Sequence, residues 1–134
     1  MFFGNLTQPS EINAVKEAAR GAGESHFCAV QAVSMALGKD FMEVRRMFKH
    51  YGRPHRAATP RPITRKVLRH YGYRMIKVDE PRKMVHTLFN GFDEKEVYLI
   101  ATADHLMCYK NGNLYDEARN RYAEAIEVFK LRRV

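Results

Sequence analysis

Cys28, His105 and Asp116 are residues of this 134-residue chain whose side chains could together make and break an acyl bond. A thiol attacks a carbonyl as its thiolate. An imidazole can take the thiol proton, and a carboxylate can hold the imidazole in the tautomer that does so. General acid–base help from such a histidine contributes about 10²–10⁴-fold in rate. The three residues are far apart in sequence, so the chemistry depends on the elements that carry them.

The thiol lies in "GESHFCAVQAVSMALGKD", residues 23 to 40. After Cys28 come Ala29, Val30, Ala32, Val33, Met35, Ala36 and Leu37, interrupted only by Gln31 and Ser34, three apart and so on one face. A helix apolar on most sides is a core helix. Its N-terminus is where the helix dipole favours a thiolate. A small cysteine filling core space would occupy the same position, and that reading stays open.

The imidazole and carboxylate lie on either side of "NG" in "DHLMCYKNGNLYDE". Asn-Gly between two apolar stretches predicts a two-residue hairpin turn. With Asn111 and Gly112 as the loop, Lys110 faces Asn113 and Met107 faces Asp116, which makes His105 and Asp116 diagonal neighbours on one face. A three-residue loop would send Asp116 to the other face.

The remaining elements follow from periodicity. "PSEINAVKEAARG" predicts a first helix with Ser10 as N-cap and Gly21 as its stop. The Cys28 helix ends at Gly38, and Asp40 with Glu43 forms a capping-box pattern for the next helix, lined by Phe41, Val44, Phe48 and Tyr51. "RPHRAATPRP" is a loop, and residues 60 to 71 are a helix with Ile63, Val67, Leu68 and Tyr71 inward. "YRMIKV" alternates as a strand, "PRKMVHTLFNG" reads as a short helix starting at Pro81, "EVYLIAT" as a central strand and "AIEVFKL" as the last strand. The expected fold class is α+β, with helices in the first half, the Cys-bearing helix buried among them, packed on an antiparallel sheet in the second. One domain over residues 1–134 is expected, with 1–22 as a helical extension.

"HFCAVQAVSMALG", "HYGRPHRAATPRPITRKVLRHYGY" and "VYLIATADHLMCYKNGNLYDE" resemble papain-like cysteine peptidases, especially small papain-fold proteins of bacteriophage genomes akin to bacteriocin-leader peptidases. The resemblance covers residues 24 to 130 as a pattern of residue types and order. It implies a papain-like fold with Cys28 as nucleophile, His105 as base and Asp116 as the orienting residue. It also implies a peptide or protein substrate. The chain departs from the family pattern at Ala22, where a Gln six residues before the cysteine would help hold the oxyanion. Ser25 or His26 are candidates for that role, together with the Cys28 backbone N–H.

Charge supplies a second reading. The net charge is +8, and residues 45 to 74 carry many basic residues with no Asp or Glu. Such a block attracts nucleic acid or an acidic protein, or simply forms a solvated face. Arg53, His55, Arg56, Arg61 and Arg65 would form this basic surface. A papain-fold binding module with weak catalysis, contacting an acidic host protein or nucleic acid, is therefore the alternative to a thiol hydrolase.

Other classes find little support. Apolar runs such as "VYLIA" are too short to cross a membrane, and "MFFGNLTQPS" lacks the basic start and apolar core of a signal peptide. Two cysteines do not make a disulfide scaffold, and a cytoplasmic location is expected. Zinc would need His105 and Cys108, three apart on a strand and so on opposite faces, to reach one ion; no metal or cofactor is expected. Cys108 reads as core, and His50, His55, His70 and His86 as solvated. The oligomeric state and the scissile bond are not legible.

Overall fold

The computed structural model describes residues 5–6, 27–53, 59–80, 82–116 and 118–134. The expected first helix, with Ser10 and Gly21, lies outside these residues. Three helices come first: α1 (Cys28–Leu37), α2 (Phe41–His50) and α3 (Arg61–His70). Each ends where the sequence supplies a stop. Gly38 takes φ 64° at the end of α1, and its N–H returns to the Ser34 carbonyl. Asp40 caps α2 by accepting from the N–H groups of Met42 and Glu43. Only half of the expected capping box forms, because the Glu43 carboxylate accepts from Tyr71 Oη at 2.9 Å instead. That bond ties α2 to the end of α3.

The sheet is six-stranded among the described residues, in the order β1 (Asn5–Leu6), β6 (Asn113–Tyr115), β5 (Leu106–Lys110), β4 (Val97–Ala101), β8 (Glu127–Arg133) and β2 (Tyr73–Val78). All neighbours are antiparallel except β1, which runs parallel to β6. The α+β expectation therefore holds, with one short strand from the beginning of the chain added to the edge. No helix among the described residues is long and apolar enough to cross a membrane.

Both sheet faces are covered, which explains why "VYLIA" is continuously apolar. Leu99, Cys108, Tyr115, Phe129 and Leu131 face α1, α2 and α3, where Val30, Val33, Val44, Phe48, Val67 and Leu68 complete one core. Their alternates Tyr98, Ile100, Met107, Tyr109, Leu114 and Val128 form a second core on the other face with Val85, Leu88 and Phe89. The segment around that second core differs from the expected short helix. Lys83–Met84 is a strand (β3) paired with Glu124–Ala125 (β7), so the helix shortens to Val85–Leu88 (α4), followed by a 3₁₀ turn over Phe89–Gly91. Pairing with a segment some forty positions later overrides the local helical pattern, and Pro81 lies outside the described residues.

Candidate active site

α1 lies against β5, and the Lys110 ammonium at the far end of the strand donates to the Met35 carbonyl at 2.7 Å. The two elements therefore run side by side in the same direction. The head of α1 falls at the start of β5, where His105 immediately precedes the first strand residue, Leu106.

The hairpin is the one the sequence predicts. Lys110 pairs with Asn113 and Cys108 with Tyr115, leaving Asn111 and Gly112 as the loop. Both take the left-handed conformation, φ 55° and φ 76°, as a type I′ turn requires. This register puts His105 and Asp116 on the face opposite Cys108 and Tyr115. The imidazole Nε2 lies 2.8 Å from Asp116 Oδ2. The Asp116 side chain is 2% exposed and the His105 side chain 26% exposed, so the acid is sealed and the base borders solvent.

The Cys28 thiol lies within interaction range of the His105 side chain. With Nε2 engaged by Asp116, Nδ1 is the ring nitrogen left for the sulfur. Helix and hairpin acid belong to opposite sheet faces, so thiol and ring meet at the end of the sheet, where neither face obstructs the other. Burial pushes the thiol pKa up, but the His105 hydrogen bond, the Leu106 and Ala29 main chain and the imidazolium charge outweigh it and bring the pKa below its ordinary value. Burial likewise depresses the His105 pKa. The hydrogen bonds to Asp116 and Cys28 and the charges of both outweigh this and raise it to about 10. The arrangement favours a thiolate–imidazolium pair. The first-turn N–H groups of α1 have no intrahelical acceptor, so the Cys28 N–H remains the candidate donor to an oxyanion. Ser25 and His26 lie outside the described residues.

Asn120 joins the site without a sequence signal. Its Nδ2 donates to the same Asp116 Oδ2 at 2.8 Å and lies 3.4 Å from His105 Nε2. It comes from a 3₁₀ turn over Ala118–Tyr122 that follows β6. Only its position four residues after an aspartate hints at the contact.

The other sulfur is unsuited to chemistry. Cys108 is fully buried, and burial pushes its pKa up to about 12. Both cysteines are free thiols. Among the described residues no three His, Cys, Asp or Glu side chains gather as metal ligands. His86, expected to be solvated, is half-buried, with Nδ1 3.1 Å from the Arg121 carbonyl and its ring against Tyr122.

The expected basic surface changes membership. Arg53 is buried, and its Nε donates to Thr59 Oγ1 at 2.9 Å, so its guanidinium closes the loop between α2 and α3 instead of facing solvent. Arg61 is engaged by Glu127 at 2.6 Å and lies over the Phe129 ring. Arg65 is exposed, also over Phe129. His55 and Arg56 lie outside the described residues. No family model, curated protein or solved structure matches the chain.

Proposed function

We propose that this chain is a thiol hydrolase of papain-like arrangement that cleaves an amide or peptide bond. The reading rests on one observation: the His105 ring is bonded to the buried Asp116 carboxylate and lies within interaction range of the Cys28 thiol. In that role the Cys28 thiolate attacks the carbonyl carbon, and the Cys28 N–H stabilises the charge on its oxygen. The C–N bond then breaks, the imidazolium proton passes to the departing nitrogen, and a thioester remains on Cys28. His105 next takes a proton from water, whose oxygen attacks the thioester. The acid leaves, and the sulfur departs as thiolate beside a reprotonated ring. Asp116 and Asn120 keep the ring aimed throughout.

The test uses a peptide library derived from a protein digest, incubated with the protein and read by mass spectrometry for new termini. The unmodified protein should generate termini that Cys28→Ala and His105→Ala proteins do not. Identical peptide patterns from all three would sink the hydrolase reading.

A further inference from the structure

A groove of about 370 Å³ lies between α3 and β2, lined by Arg65, Lys66, Arg69, Arg74, Met75 and Ile76. β4 and β8 separate β2 from the strand that carries the His105 site. The groove is therefore a different place on the molecule, and its role does not depend on the proposed chemistry.

Three consecutive β2 residues, 74 to 76, line the groove. Alternation puts Met75 on one face of the sheet and Arg74 and Ile76 on the other. What all three share is the strand's edge, so the groove opens on that edge. Among the described residues β2 pairs only with β8, and it ends the sheet. The phase of its main chain can be worked out. Residues of an antiparallel pair direct their N–H and C=O alternately toward the partner and away from it. The Val134 N–H donates to the Gly72 carbonyl at 2.9 Å, and the register pairs Tyr73 with Arg133. Gly72, Arg74, Ile76 and Val78 thus face β8, and the main-chain groups of Tyr73, Met75 and Lys77 face outward. Those of Met75 open into the groove.

The wall is cationic. Arg65, Lys66, Arg69 and Arg74 are all exposed, and among the described residues no carboxylate lines the groove. Lys66, Arg69 and Arg74 form no ion pair with another described residue. We infer that this groove takes an extended acidic peptide segment of another protein, added to the free edge of β2 as a further strand. The outward donors and acceptors of Met75 match a peptide main chain, and the four cations match carboxylates on it. Among the described residues the lining has no aromatic ring on which a nucleic-acid base could stack, and a phosphodiester backbone carries no N–H donor for the strand's carbonyls. A second copy of this chain, with net charge +8, would bring like charges to the same edge.

The test measures fluorescence anisotropy of a labelled ten-residue peptide of alternating Glu and Val. Two further forms are N-methylated on alternate residues, one in each phase. Binding below about 1 mM is expected. It should weaken about tenfold or more in the Arg69→Glu, Arg74→Glu double variant and stay unchanged in Lys95→Glu, an exposed site elsewhere. One N-methylated phase should bind like the parent peptide and the other should lose binding, because a strand offers only one of its edges to β2. Equal binding by both phases would show that charge alone holds the peptide and would overturn strand addition. Tighter binding of a single-stranded oligonucleotide of equal charge, lost in the double variant, would make the groove a nucleic-acid surface and overturn the peptide. Absence of peptide binding at 1 mM would overturn the inference outright.

Discussion

The Lys110 ammonium is bonded to the Met35 carbonyl at 2.7 Å, at the opposite end of β5 from the ring that meets the Cys28 sulfur. The Cys-bearing helix is thus fastened to one strand at both of its ends. Lys110→Met keeps the side-chain bulk and removes the charged donor. We expect a loss of about 1–2 kcal/mol in urea unfolding. Cys28 alkylation should also slow, because the head of the helix is no longer held in register with His105.

The pH dependence of Cys28 alkylation by iodoacetamide follows from the two shifts. The thiol pKa is lowered, so the thiolate persists below its ordinary range and the rate falls only when acid protonates it. The His105 pKa is raised to about 10, so the imidazolium partner is lost as pH rises through that value. The ion pair's contribution to stability has the same window: it disappears below the lowered thiol pKa and above about 10. His105→Ala should move the alkylation midpoint upward and slow the reaction at neutral pH by about tenfold or more. An unchanged midpoint would mean that sulfur and ring do not interact in solution. Cys108 should remain unlabelled until the protein is unfolded, since it is fully buried.

Asn120 shares Asp116 Oδ2 with His105. Asn120→Ala removes a donor to that oxygen and loosens the hold on the carboxylate. A drop of about tenfold in hydrolysis or alkylation rate is expected, with a smaller loss in Asn120→Ser, which retains a donor. A uniform loss of both variants' folded signal in circular dichroism would instead assign Asn120 a structural role.

Gly112 adopts φ 76° with no heavy atom within 3.4 Å of an added Cβ, so a side chain there meets backbone strain but no clash. Gly112→Val should cost about 1–2 kcal/mol. Because the turn sets the offset between His105 and Asp116, the variant should lose thiol reactivity beyond what its stability explains. Gly112→Asn, which tolerates the left-handed region, should retain most of both.

How much could be read in advance depends on how local each cause is. The hairpin was legible because Asn-Gly fixes its own turn, and from the turn the His105–Asp116 relation follows by counting. The Cys28 helix was legible because seven apolar residues surround two polar ones and Gly38 stops it. The contact between thiol and ring was not legible, since it depends on how a helix lies along a strand from the far half of the chain. Distant partners caused the misreadings as well. Lys83–Met84 became a strand through Glu124–Ala125, and Arg53 became an interior residue through Thr59 and its surroundings. Asn120 follows a strand in a turn that has no apolar rhythm to announce it.

The imidazole and its acid are eleven residues apart, joined by a tight turn that can close within microseconds, whereas the sulfur arrives from the other half of the chain. A nascent or partly folded molecule can therefore hold the base–acid couple while lacking an activated nucleophile. Reactivity would then switch on only with the last docking of helix to sheet.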